Sequence, residues 1–159
     1  MFIKYKNTCD FNDRTQLEKI IRSSGYFNEE ETTIALELID DSLKHQDKSD
    51  YKLLIIEDEN QILGYSCYGR IPFTQSSYDL YWIVIDDKYR NLGIGSLLLT
   101  KTEENIKLLG GNQIYIETSG LPLYTSTVEF YLKNKYEIAA RFKNFYSEGN
   151  DKIVFVKRI

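Results

Sequence analysis

The run Leu80-Tyr81-Trp82-Ile83-Val84-Ile85-Asp86-Asp87-Lys88-Tyr89-Arg90-Asn91-Leu92-Gly93-Ile94-Gly95-Ser96-Leu97-Leu98 decides how this chain folds. Its first part is apolar in both alternating registers. Leu80, Trp82 and Val84 fall on one face of a strand, and Tyr81, Ile83 and Ile85 on the other, as expected of a central strand covered on both sides. A glycine-containing turn follows, and then an amphipathic helix over residues 93–109 that Gly110-Gly111 stops. Residues 113–118 form the next strand, so the unit is strand, helix, strand, with the two strands parallel and the crossover right-handed.

Working outward, residues 51–57 and 61–68 flank Asp58-Glu59-Asn60 and read as an antiparallel hairpin. Before them lie two helices. Asp13 is placed to cap the first, with Leu17, Ile20 and Ile21 as its apolar stripe and Ser23-Ser24-Gly25 at its end. The second covers residues 29–46; its opening glutamates suit a positive helix N-terminus, and Ala35, Leu38, Ile39 and Leu43 share one side. Residues 1–6 alternate charged and apolar positions, which reads as a strand and not as a signal peptide. Beyond the central unit, Pro122 marks a turn. Residues 125–135 make a short helix with Val128, Tyr131 and Leu132 on one side, and residues 136–142 and 153–157 are two last strands around a polar loop containing Gly149-Asn150-Asp151. No repeat or linker interrupts this order, so the expectation is one domain over residues 1–159.

Composition narrows the function. With 20 Lys and Arg against 24 Asp and Glu, the formal charge is -4, which argues against nucleic acid as a partner. No stretch approaches the roughly 20 apolar residues of a membrane span. The two cysteines, Cys9 and Cys67, are far apart and lack metal-ligand spacing, and His45 is the only histidine. A metal site and a histidine-based triad are therefore not expected, and a reducing, cytoplasmic setting is.

The chemistry-bearing segment is the turn at Arg90-Asn91-Leu92-Gly93-Ile94-Gly95-Ser96. Glycines at 93 and 95 let backbone approach a ligand, and amide N–H groups at a helix start converge on an anion with the helix dipole behind them. A pyrophosphate is the natural occupant, with the Arg90 guanidinium at its edge. Two other readings stand beside this one. The glycines also permit a tight strand-to-helix turn that binds nothing. A dinucleotide fold would want Gly or Ala where Leu98 stands, and no Walker lysine is present.

This stretch resembles the acetyl-CoA-binding motif of the GNAT superfamily of N-acetyltransferases: an apolar strand ending in Asp, then Arg-x-x-Gly-x-Gly, then a helix. The order of elements and Glu129-Phe130-Tyr131-Leu132 before Tyr136-Glu137 resemble that family too, and the spacing is similar to its ribosomal-protein alanine acetyltransferases. The resemblance implies a mixed α/β fold with a central twisted sheet of about six or seven strands, one parallel pair splayed apart, and about four flanking helices. It also implies acetyl-CoA as cosubstrate and a primary amine as acceptor, attacked directly in a ternary complex. Ile83, Val84 and Ile85 would pair with the pantetheine arm, and Arg90, Asn91, Leu92, Gly93, Ile94, Gly95 and Ser96 would hold the pyrophosphate.

A neutral amine must form before it attacks a thioester, so a base is needed, and Glu117 is the candidate, with Asp79 as the alternative. Tyr131 would protonate the departing thiolate. In this family the loop between the first two helices, the strand before the motif and the last hairpin shape the acceptor site, which points to Tyr26, Phe27, Asp79, Tyr81 and Tyr146. Tyr124 stands where many relatives carry Asn. A CoA-binding sensor or interaction domain with the same fold and no turnover is the competing reading. The last strands, if exposed, offer an edge for a homodimer.

Overall fold

A computed structural model describes every residue, Met1–Ile159. Seven strands make a mixed sheet in the order β1-β2-β3-β4-β5-β7-β6, with β4 and β5 parallel. The chain divides into two compact units, Met1–Gly69 with Trp82–Asn105, and Arg70–Tyr81 with Ile106–Ile159. No helix is long and apolar enough to cross a membrane.

In the first unit β1 (Ile3–Lys6) pairs antiparallel with β2 (Lys52–Asp58), and β2 with β3 (Gln61–Arg70). The β2–β3 hairpin turns through Glu59 and Asn60, both with positive φ (47° and 69°), the left-handed pair that matches strand twist. Leu53, Leu54, Ile55, Ile56, Ile62 and Leu63 are all buried, so these strands are covered on both faces. Helix α1 (Phe11–Ser23) buries the Leu17, Ile20 and Ile21 stripe and packs on α2 (Glu29–His45). Helix α3 (Ile94–Leu108) begins beyond the end of β4 (Ser77–Ile85) and buries Ile94, Leu98, Leu99 and Ile106. Thr102 donates its hydroxyl proton to the Leu98 carbonyl (2.8 Å), so Ser66, 2.7 Å away on β3, must donate to Thr102. That polar bond fixes the rotation of α3 inside an apolar layer.

The second unit holds the start of β4 beside β5 (Gln113–Ser119), then β7 (Asn150–Arg158) and the edge strand β6 (Glu137–Ser147). The parallel ladder is short: Ser77↔Gln113, Tyr78↔Ile114 and Asp79↔Tyr115. From Ile116 onward β5 keeps only its antiparallel partner β7. Helix α4 (Thr125–Lys133) follows a short 3-10 turn, Pro122–Tyr124. Gly110, at φ +87°, ends α3, and Gly111 lies where a Cβ would meet the Tyr78 ring at 2.7 Å.

Several sequence expectations need correction. The N-cap of α1 is Asp10, not Asp13; Asp13 is the third helical residue and closes the capping box by accepting from the Asp10 amide at 3.0 Å. It also accepts from Lys6 Nζ at 2.7 Å, which explains how a carboxylate is buried there. On α2 the buried set is Thr32, Ala35, Leu36 and Ile39, while Leu38 and Leu43 are half-buried, so the apolar face is rotated toward Leu36. Leu132 is exposed, and Tyr131 alone is fully buried on α4. The last two strands run to Ser147 and from Asn150, so most of the predicted loop is strand and the turn is only Glu148-Gly149. On β4 Tyr81, Ile83 and Ile85 are half-buried, so only the Leu80 and Val84 face is closed over.

Gly64 controls how closely β3 approaches the end of β4. A Cβ built there would press on the Val84 carbonyl oxygen and stand 2.6 Å from Ile85 Cδ1. Backbone cannot yield as a flexible side chain can, so Gly64→Ala is expected to destabilise the protein by about 1–3 kcal/mol. Urea unfolding checks this; an unchanged midpoint would show that β4 moves freely relative to β3.

Candidate functional site

The first part of the site is built where β4 ends. The Asp86 amide donates to the Leu63 carbonyl (2.8 Å), and the Asp86 side chain accepts from the Lys88 amide (3.0 Å), capping one 3-10 turn, Asp87–Tyr89. Arg90 is extended, Asn91 takes φ 61° and Gly93 φ 81°, and α3 begins at Ile94. Nothing lies within 4 Å of a Cβ built on Gly93, so this glycine is there for its left-handed backbone and not for want of space. The Leu97 amide is the first to bond back into the helix, to the Gly93 carbonyl at 3.1 Å. Amides before it in the first turn have no intrahelical acceptor. That turn carries no acidic residue, and Leu92 and Leu97 beside it are exposed. An accessible group of amide donors with an uncompensated helix dipole is suited to a phosphate anion.

The Arg90 guanidinium, expected at the edge of the phosphates, has four partners within the protein. Its Nη2 is 2.7 Å from Asp87 Oδ1 and donates to the Ser24 carbonyl at 3.0 Å; its Nε donates to the Ile85 carbonyl at 3.4 Å; its plane covers the Tyr26 ring at 5.1 Å. Ser24 and Tyr26 belong to the α1–α2 loop. There Gly25 takes φ 76°, the Tyr26 amide donates to Ser24 Oγ at 3.3 Å, and Asn28 caps α2 through a capping box with Glu31. Phe27 packs edge-on against Trp82 of β4, with centroids 5.6 Å apart. Beside Trp82 is the fully buried hydroxyl of Tyr65, which burial keeps protonated far above the usual phenol range. Ile83 and Ile85 are half-buried and Val84 is buried, so this stretch is partly open to its surroundings.

The second part lies where the parallel ladder stops. Asp79 is opposite Tyr115, and Glu117 is two residues further along β5, so both carboxylates belong to one face. Glu117 is half-exposed and accepts from Lys152 Nζ of β7 at 2.8 Å. Lys152 also lies over the Phe145 ring of β6, 4.4 Å from its centroid. Asp79 is half-buried, and its pKa is raised, first by burial and then by the Glu117 charge, against a smaller pull downward from Lys152. Tyr131 of α4 is buried, with ring centroids 5.7 Å from Tyr136 and 5.3 Å from Phe155. Burial raises its hydroxyl above the ordinary phenol value, so it stays protonated at neutral pH.

The sequence-predicted residues therefore fall into two groups. Tyr26, Phe27 and the Arg90 turn are tied together in the first unit, with Ile83–Ile85 on the strand feeding it. In the second unit the Glu117 charge acts on Asp79, Tyr131 belongs to the aromatic core of that unit, Tyr81 is half-buried, and Tyr146 is exposed on β6, edge-on to Phe145 at 5.1 Å. Lys152 was missed. Its position opposite Ser119 in the β5–β7 ladder, two residues past Glu117, was the missing information.

The sequence profile of the Acetyltransferase (GNAT) domain matches residues 49–138. A solved GNAT-family protein from Desulfovibrio desulfuricans superposes with a TM-score of 0.95 and 31% identity, covering 98% of this chain and 98% of that one. The fold is also that of the ribosomal-protein-S18-alanine N-acetyltransferase from Escherichia coli, at TM-score 0.76 and 15% identity over 99% of this chain and 94% of the other. It is shared as well by the paia N-acetyltransferase from Thermoplasma acidophilum, solved in complex with coenzyme A, at TM-score 0.77 and 18% identity over 100% of each chain. Among curated protein sequences none matches. With its strand, glycine turn and open helix N-terminus in the arrangement described, and with that coverage and identity, the chain belongs to the GNAT acetyltransferase family.

Proposed function

We propose that this protein, as one catalytic domain, transfers the acetyl group of acetyl-CoA to a primary amine by direct attack in a ternary complex. The observation that carries the reading is the turn from Asn91 to Ser96. It presents unbonded amides at the start of α3, with Gly93 in a left-handed conformation and no acidic side chain to repel a pyrophosphate. Backbone of Ile83, Val84 and Ile85 is the strand edge assigned to the pantetheine arm. When bound, acetyl-CoA supplies the activated acyl group. Its free cysteines, Cys9 and Cys67, suit the reducing cytoplasm.

On the acceptor side an ammonium must lose a proton. Glu117 already holds the Lys152 ammonium, whereas Asp79 is half-buried and its proton affinity is raised toward the working pH. We therefore assign Asp79 as the base and Glu117 as the group that both raises it and orients Lys152. Tyr131, neutral at every physiological pH, is assigned as donor to the leaving thiolate. The acceptor is an amine of a peptide N-terminus, a lysine side chain or a small molecule; Tyr26, Phe27, Tyr81 and Tyr146 are its proposed contacts.

Three outcomes are expected. Acetyl-CoA and CoA, but not NAD, raise the melting temperature by several degrees, and Gly93→Asp abolishes the rise by putting a carboxylate where the phosphates bind. No rise with either ligand would end the acetyltransferase reading, and a rise without CoA release from any amine would leave a CoA-binding sensor in its place.

Tyr131→Phe is expected to lower kcat by roughly 10²-fold or more while the Kd for CoA stays near the wild-type value; unchanged turnover would remove Tyr131 from the chemistry.

Asp79→Asn is expected to remove the acidic limb of the kcat/KM profile, since a base with a raised pKa is lost as pH falls through that value. The same residue gives a stability test. Because the folded pKa lies above the unfolded one, native protein binds the proton more tightly. Stability therefore falls as pH rises from the unfolded value through the folded one, and Asp79→Asn flattens that slope in urea titrations.

A further inference from the structure

We infer that Arg90 is a positioning residue: its guanidinium is the strut that holds the α1–α2 loop, with Tyr26 and Phe27, against the cofactor turn. The geometry carries this. A guanidinium has a planar fork of donors, and here the fork is shared between the two segments. On the turn side it meets Asp87 at 2.7 Å and the Ile85 carbonyl at 3.4 Å. On the loop side it meets the Ser24 carbonyl at 3.0 Å and lies over the Tyr26 ring at 5.1 Å. Ser24 and Arg90 are 66 positions apart in the chain, so this is a tertiary contact and not a local turn bond.

The loop has need of such a tie. Ser24 caps the end of α1, Gly25 reverses the chain at positive φ, and Asn28 caps the start of α2, so the segment 24–28 must turn sharply with few backbone bonds of its own. The Ser24 carbonyl sits at the end of α1, where the helix dipole concentrates negative charge, and a cation is the favoured partner there. Asp87, on the turn, meets the same Nη2 at 2.7 Å, so one nitrogen bridges the two segments. The chain of contact then continues through Phe27, whose ring packs edge-on against Trp82 at 5.6 Å.

A side chain with four partners inside the protein is already engaged, so the anion-binding capacity of the turn rests on main-chain amides. What Arg90 contributes is registry between that turn and the loop. Resting on the acetyl-CoA reading, this makes acceptor-loop position depend on the same residue that shapes the cofactor turn.

Trp82 is the only tryptophan in the chain, which makes the loop visible in the ligand-free protein. Arg90→Ala is expected to free the loop, move Phe27 off the indole and shift Trp82 emission to the red by several nanometres. Amide exchange over residues 24–28 should accelerate roughly tenfold. Arg90→Lys keeps a charge for Asp87 but lacks the fork, so it should shift the same two readings in the same direction. If Arg90→Ala does not fold, Asp87→Asn is read instead, with the same expected direction.

Wild-type emission and exchange in Arg90→Ala, or full rescue by lysine, would overturn the strut. These measurements need no ligand, so they stand or fall separately from the acetyl-CoA reading. With any amine that the wild-type enzyme acetylates, the variant should raise KM for the amine severalfold more than KM for acetyl-CoA; an equal or reversed split would also overturn it.

Discussion

The parallel ladder of Ser77–Asp79 against Gln113–Tyr115 is the constraint from which the glycine turn follows. Two parallel neighbours cannot be joined by a hairpin, so the chain must cross over from the end of one strand to the start of the next. Here the crossover is the 3-10 turn, the glycine turn and α3. A helix that leaves the carboxyl end of a strand necessarily presents its N-terminus there, amides outward, where open α/β sheets bind ligands. Because the ladder is only three pairs long, β4 then continues to Ile85 without β5 beside it. The glycines at 93 and 110 bracket α3, each in a left-handed conformation that other residues adopt at a cost of roughly 1 kcal/mol or more.

Charge works locally in this protein. The chain as a whole is acidic, at -4, which is no help in attracting an anionic ligand. The attraction proposed for the turn is short-ranged, from amide dipoles, and screening limits the reach of the distant carboxylates to about 8 Å at physiological ionic strength. Buried charge is handled in the same local manner. Asp13 is tolerated because Lys6 reaches it at 2.7 Å and the Asp10 amide at 3.0 Å, and Glu57 lies 3.8 Å from the same ammonium.

Much of this architecture was legible in the sequence because its signals are local. The double-faced apolar run of β4, the turn glycines and the helix that follows all declare themselves within about twenty residues. The hairpin around Glu59 and Asn60 is equally local. Where the reading slipped, the deciding information was tertiary. Asp13 has the chemistry of a cap, and only the backbone shows that Asp10 occupies the cap and Asp13 the third position. Strands β6 and β7 extend past their predicted ends across an irregular stretch that contains Asn144 and Asp151, residues that favour turns on their own; the Asp151 carboxylate holds it by accepting from the Asn144 amide at 2.9 Å and from Arg141 Nε at 2.7 Å. For the candidate site, the strand-to-helix turn at residues 90–96 was legible as a turn, yet the partners of Arg90 and Glu117 were not. Arg90 with Ser24, and Glu117 with Lys152, join segments far apart in the chain, and no spacing rule reaches that distance.

One physical effect acts on both of the shifted groups proposed for proton transfer in the second unit, Tyr131 and Asp79. Removal from water disfavours the charged form of any acid. For Tyr131, already neutral at pH 7, burial moves ionisation further away, so the hydroxyl keeps its proton and meets any neighbouring anion as a hydrogen-bond donor. For Asp79, an acid ordinarily ionised below neutrality, partial burial moves ionisation upward, and the Glu117 charge moves it in the same sense. Lys152 opposes that shift, and its tether to Glu117 and the Phe145 ring keeps its contribution fixed. The same desolvation thus keeps one group protonated and raises the proton affinity of the other, because their starting points lie on opposite sides of neutrality.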